Sequence, residues 1–155
     1  MRRLALVLTA AALVGCAKKE APAPEPPPAA PVAPPAPAPI DLSAVAGTWD
    51  MKTMAATGDS VLVAYTLTAT ADTAGWTLNF PKRKPVALKV TVSGDSVMAE
   101  SAEYESLLRK GVKVHTNSVF HLVEGKLMGT AAAHYTVKGP DSLVALRSVG
   151  VKQQK

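Results

Sequence analysis

From Ile40 onward, apolar and polar residues alternate along the chain. The clearest runs place Val61, Val63, Tyr65, Leu67 and Ala69 on one face and Val86, Leu88, Val90 and Val92 on another. A period of two marks strands buried on one side. Trp76, Leu78 and Phe80 repeat the pattern, as do Val112 with Val114 and Phe120 with Leu122. Turn-like clusters separate the runs: Thr57-Gly58-Asp59-Ser60, Ser93-Gly94-Asp95-Ser96, Glu124-Gly125 and Lys138-Gly139-Pro140-Asp141-Ser142. Short strands joined by short polar turns predict an all-β, antiparallel up-and-down meander. About eight or nine strands in the 116 residues 40–155, with no clear edge protection, predict closure into a small β-barrel. Ser101 to Gly111 fits two descriptions, a short helix capped by Ser101 and stopped by Gly111, or a loop holding a short strand.

One hairpin can be registered from sequence. If Glu124-Gly125 is a two-residue turn, Val123 faces Lys126 and fixes the register; on one face Leu122 then meets Leu127, Phe120 covers Gly129, Val114 meets Tyr135 and Val112 meets Val137. That face is consistently apolar. The opposite face pairs Lys113 with Thr136, His115 with His134 and Asn117 with Ala132, and is expected outside.

Upstream of Ile40 the pattern changes twice. Arg2 and Arg3 precede an apolar run of 11 residues, Leu4 to Val14. This is short of the about 20 residues that a spanning helix needs, and a charged start, short apolar stretch and small-residue end describe a secretory signal. The end reads Leu13-Val14-Gly15-Cys16, and here the chain resembles the bacterial lipoproteins, whose lipobox has this Leu-x-Gly-Cys form. The resemblance implies cleavage before Cys16, a diacylglyceryl group on its thiol and usually an acyl chain such as palmitate on its amine. Two or more chains anchor a protein stably, whereas one is marginal. In Gram-negative lipoproteins an aspartate after the cysteine favours the inner membrane. Ala17 stands there instead, so the resemblance implies an outer-membrane, periplasm-facing location, with the inner membrane or cell surface as alternatives.

Residues 17–39 hold ten of the 13 prolines and eight alanines in 23 positions. Such a segment has little to bury and few backbone donors, so it is expected to be a disordered, extended polyproline II spacer. At about 3.1 Å per residue it reaches on the order of 70 Å; a recognition tail for an aromatic groove is the alternative. Lys18 and Lys19 suit local attraction to anionic head groups. The expected organisation is a signal peptide over residues 1–15, a lipidated cysteine and Pro/Ala-rich linker over 16–39, and a barrel over 40–155. Removing Arg2 and Arg3 lowers the net charge from +5 to +3, which weakens the case for a strongly anionic partner. The single cysteine excludes an intramolecular disulfide and multi-cysteine metal sites.

Asp41-Leu-Ser-Ala-Val-Ala-Gly47-Thr48-Trp49-Asp50 resembles the opening of a lipocalin or related calycin barrel, a helical turn followed by Gly-x-Trp at the first strand. The resemblance implies that Trp49 plugs the closed end of the barrel and that an arginine from the last strand packs across it. Arg147 is suitably placed for that role, and such stacking is favourable by about 0.5 to 2 kcal/mol. Gly47, Trp49 and Arg147 would then be a fold signature. A core tryptophan in an unrelated β-sandwich is the alternative.

Few constellations suggest chemistry. His115 and His134, opposed across the hairpin, are the best metal-ligand candidates, since opposed side chains lie about 4.5 to 5.5 Å apart at Cβ. His121 is six residues from His115, roughly 20 Å along the strand at about 3.3 Å per residue, so two ligands stand without a third. No Gly-x-Ser-x-Gly elbow, phosphate loop or dinucleotide fingerprint occurs. Glu100, Glu103 and Glu105 flank Tyr104 in a polar connector and fit a solvated loop better than glycoside chemistry. The Gly-Asp-Ser repeats at Gly58, Gly94 and Gly139-Pro supply too few oxygens for calcium. No cofactor is expected. The turn Pro81-Lys82-Arg83-Lys84-Pro85 places three cations where they could meet an anionic envelope polymer or lipid.

The expected function is non-catalytic binding. One form is a barrel taking a small apolar or amphipathic ligand, motivated by the small residues Ala64, Gly129, Ala131 and Ala133 at candidate wall positions. The other is a filled barrel that serves as an envelope structural or interaction module. Nucleic acid is not an expected partner of an exported, tethered protein.

Overall fold

A computed structural model of the protein describes residues 38–154. The expected signal peptide, Cys16 and nearly all of the linker lie outside the described residues. Among the described residues no helix is long and apolar enough to cross a membrane.

Helix α1 (Leu42–Val45) is a single turn, held by the Asp41 carboxylate, which accepts from the Ser43 amide at 2.8 Å and hydroxyl at 2.7 Å. These hydrogen bonds hold the exposed Asp41 carboxyl below its ordinary pKa. Strands β1 (Gly47–Ala55), β2 (Val61–Ala69), β3 (Thr77–Asn79), β4 (Val86–Ser93) and β5 (Ser96–Ser101) follow as an antiparallel meander. Next come the two-residue β6 (Tyr104–Glu105), β7 (Lys113–Val123), β8 (Lys126–Tyr135), a 3-10 turn (Pro140–Ser142) and β9 (Leu143–Lys152).

β9 pairs with both β8 and β1, and β5 pairs with β7, so eight strands close into a barrel. β6 continues along β7 where β5 leaves off, with its register displaced by one residue. Of the two readings of Ser101–Gly111, the loop with a short strand is therefore the one adopted. Trp76 and Phe80 flank β3 instead of extending it, and both are buried.

The β7–β8 register runs from Val114↔Tyr135 through His115↔His134 and Phe120↔Gly129 to Val123↔Lys126, as the two-residue turn predicts. Glu124 and Gly125 both have positive φ (50° and 73°), the backbone that a tight hairpin turn requires. Gly129 is needed for packing: a Cβ there would lie 2.5 Å from the Phe120 ring and 2.7 Å from the Val119 carbonyl oxygen. Val112 and Val137 lie just beyond the ladder but pack against the same cluster as Val114 and Tyr135.

Inward residues divide the barrel into two halves. Around the α1 end, Val45, Trp49, Met51, Leu67, Trp76, Val97, Phe120 and Leu127 form a dense buried core. Toward the other end, the wall carries Val114, Ala133, Tyr135 and Leu146 as a second, smaller cluster.

Candidate functional site

The closed end is built on Gly47 and Trp49. Trp49 is 1% exposed, and its indole Nε1 donates to the Val45 carbonyl at 2.7 Å, which fastens α1 beneath the barrel. Gly47 has φ 137°, a backbone conformation that favours glycine, and a Cβ there would lie 2.8 Å from Cε of the flexible Lys152 side chain, which can move aside. The cation near Trp49 is Lys152. Its Nζ lies 5.5 Å from the ring centroid and donates to the Ala44 carbonyl at 3.1 Å.

Arg147, expected over Trp49, is elsewhere. Trp49 opens β1 and therefore faces the end of its antiparallel partner β9 at Lys152, whereas Arg147 is paired with Met54 five residues further along. Arg147 points outward, donates to the Gly58 carbonyl at 2.6 Å and forms an ion pair with Asp59.

The open half contains a chamber of about 60 Å³, lined by apolar, small and hydroxyl-bearing side chains from most of the strands. Ala131 and Ala133 line it as expected, while Ala64 is exposed on the outside of β2, between the inward Val63 and Tyr65. Thr53 and Ser148, paired across β1 and β9, face inward and share a 2.7 Å hydrogen bond. The Tyr65 hydroxyl is hydrogen-bonded to both, and burial raises its pKa. Tyr104, hydrogen-bonded to Thr116, is pushed up to about 12, chiefly by burial and then by Tyr65. Both phenols are therefore neutral donors at any physiological pH.

Residues 106–112 cover this chamber. The Ser106 hydroxyl accepts from the Leu108 and Arg109 amides at 3.0 Å each and so shapes the turn. Arg109 reaches across the opening, its guanidinium 4.2 Å from the Tyr135 ring centroid, and donates to the Asp141 carbonyl at 2.8 Å. On the other flank Arg83 donates to the Glu105 carbonyl, and Phe80 packs between Tyr65 and Tyr104 at centroid distances of 5.4 and 5.3 Å. Leu107 and Leu108 line the chamber from above, yet remain 37% and 44% exposed.

No charged side chain lines the chamber among the described residues. It can hold an apolar group or an uncharged polar one, since a lone charge there would lack a partner. By the same measure of volume one water needs about 10 to 15 Å³, so the space holds a handful of heavy atoms. That is well below the roughly 300 to 1,000 Å³ of ordinary small-molecule sites. A second concavity, open and about 840 Å³, lies on the outer wall between Lys89, Met98, Asn117, Ala132, Ala145 and Arg147.

The two hairpin histidines do meet: the His115 and His134 rings stack 4.8 Å apart at 4° on the outer wall. Parallel rings direct their nitrogen lone pairs side by side instead of at one point, and among the described residues no group of three or more metal-binding side chains forms. His121 is at the closed end, where its Nδ1 lies 3.3 Å from the Ser96 hydroxyl and 3.8 Å from Asp95. The hydroxyl cluster and Arg109 escaped sequence reasoning. Its one available signal was the pair of polar residues, Thr53 and Ser148, on otherwise apolar faces.

No protein-family model matches the chain, and no curated protein or solved structure matches it either.

Proposed function

We propose that this protein is a lipid-anchored lipoprotein of the cell envelope, on the periplasmic face of the outer membrane. Its barrel serves as a non-catalytic binding module for a small apolar or amphipathic molecule. The observation that carries the binding reading is the chamber itself. An uncharged interior, small walls at Ala131 and Ala133 and neutral donors at Tyr65, Tyr104 and Thr53 suit an apolar body with one uncharged polar group. A ligand larger than the 60 Å³ space is accommodated by displacing Leu107 and Leu108, which have exposed surface already and are held by one turn. The anchoring reading rests on Leu13-Val14-Gly15-Cys16.

Native mass spectrometry of the protein, followed by organic extraction, tests the binding. A co-purifying molecule of defined mass, lost on Ala133→Leu, supports it. An empty barrel that excludes apolar fluorescent probes supports the second reading, a filled interaction module. The small volume of the chamber and the 840 Å³ outer concavity favour that alternative. Metabolic labelling with palmitate tests the anchor: label incorporation that disappears in Cys16→Ser is the expected outcome.

A further inference from the structure

The two ends of the barrel differ in charge as well as in packing. The closed-end connections, residues 38–46, 70–76, 94–95 and 124–125, contain Asp41, Asp72, Asp95 and Glu124 and no lysine or arginine. The open-end connections, residues 56–60, 80–85, 102–112 and 136–142, carry six cations against Asp59, Glu103, Glu105 and Asp141. Counting the strand-terminal Lys113 with one end, and Lys126 and Lys152 with the other, leaves +3 at the open end and −2 at the closed end.

Three of the four acids of the open end are engaged locally through their carboxylates, while Asp141 contributes only its backbone carbonyl, to Arg109. Glu103 pairs with Lys113 at 2.9 Å, Asp59 pairs with Arg147, and the Glu105 carboxylate accepts from the Gly111 amide at 3.2 Å. Lys82, Lys84, Lys110 and Lys138 remain exposed at the tips of their connections. Among them stand Leu107 and Leu108, adjacent, exposed and followed directly by Arg109 and Lys110. The Lys82–Lys84 turn is tied to the same rim through the contact of Arg83 with the Glu105 carbonyl. Two part-exposed leucines at the same end of the barrel as four exposed lysines complement a surface that is apolar beneath and anionic on top. Such a surface rewards apolar insertion and cation proximity together.

We propose that the open end is a docking face for an anionic phospholipid bilayer, with Leu107 and Leu108 entering the acyl boundary and the lysine rim resting on the head groups. This goes beyond the binding role above and does not depend on whether the chamber takes a ligand. Because Leu107 and Leu108 also roof the chamber, docking withdraws them from it and opens it toward the lipid.

The test uses the full chain with Cys16→Ser, so that one introduced cysteine can carry a polarity-sensitive fluorophore. The label is placed at Leu107→Cys, at Leu108→Cys in a second variant, and at Met128→Cys on the outer wall. Vesicles of phosphatidylcholine alone are compared with vesicles that also contain phosphatidylglycerol. A blue shift and protection from aqueous quencher are expected at 107 and 108, not at 128, only with phosphatidylglycerol. Lys84→Glu with Lys110→Glu should weaken the response roughly tenfold or more, and salt should screen it.

Vesicle binding that leaves both cover positions solvated would mean attachment through another segment and would overturn the proposal. So would an equal response to phosphatidylcholine alone, an equal response at 128, or insensitivity to the two charge reversals. A response to lipopolysaccharide without one to phosphatidylglycerol vesicles would replace the bilayer with an acidic polymer.

Discussion

The closed and open halves of the barrel are made by the same eight strands, yet one is solid and the other hollow. At the closed end the inward positions carry Trp49, Met51, Leu67, Phe120 and Leu127, and α1 with Trp76 completes the plug. A few residues along the same strands, the inward positions become Thr53, Thr116, Ser118, Ala131, Ala133 and Ser148, and a chamber remains. Backbone closure therefore sets the bore, and side-chain volume decides whether it is a core or a site. Large buried apolar side chains are concentrated at one end, and the other carries hydroxyls and a part-exposed cover.

The sharpest way to break this contrast is to remove one large group from each end. Trp49→Ala deletes a buried indole, its hydrogen bond to Val45 and the contact with Lys152, and is expected to cost about 3 to 5 kcal/mol in urea unfolding. Leu108→Ala, at a 44% exposed position, should cost under about 1 kcal/mol. Equal losses would show that the cover belongs to the core.

A pH titration isolates the open half next. Tyr104 has an ordinary pKa of 10.0 and is pushed up to about 12 by burial in the folded chain. Between those values the unfolded chain has released the proton and the folded one has not. Stability thus falls as pH rises from about 10 to about 12, by up to about 2 kcal/mol, and Tyr104→Phe should flatten that slope.

Smaller effects separate chemistry from packing. Thr53→Ala leaves the buried Ser148 and Tyr65 hydroxyls without their Thr53 partner and should cost about 1 to 2 kcal/mol, whereas Thr53→Val with Ser148→Ala and Tyr65→Phe, which removes all three hydroxyls together, should recover most of it. Unfolding of the single and triple variants measures the difference. Arg109→Ala removes the contact with Tyr135 and the bond to Asp141, worth about 0.5 to 1 kcal/mol at a half-buried site. Amide exchange should quicken in residues 106–112 and stay unchanged around Trp49.

The sequence was most legible where local turn chemistry dictates long ladders. Once Glu124-Gly125 is read as a two-residue turn, every pair from Val114↔Tyr135 to Val123↔Lys126 follows from it. Gly47 and Trp49 were legible through the resemblance of Gly-x-Trp to the opening of a calycin barrel, to which the structure adds the positive φ of Gly47 and the indole's bond to the Val45 carbonyl. The placement of Arg147 failed because β9 runs on to Lys152, so the antiparallel register with β1 brings a later cation to Trp49. The interior hydroxyls were hidden for a different reason. Alternation assigns polar residues to the outside, and Thr53 and Ser148 become mutually satisfied inside only after 95 residues of chain bring them together. The cover was illegible because residues 101–111 carry no periodicity to read.

One contact near the start of the described chain has an engineering consequence. The Ile40 amide donates to the Gly94 carbonyl at 2.8 Å, at the plugged pole, and β9 ends at that pole too. Whatever is joined to either end of the domain, whether a resin or a fusion partner, is joined at the base. A copy immobilised on one surface by its base offers its leucines and lysines to a second surface facing it, so the attachment point and the open end need never compete for the same area.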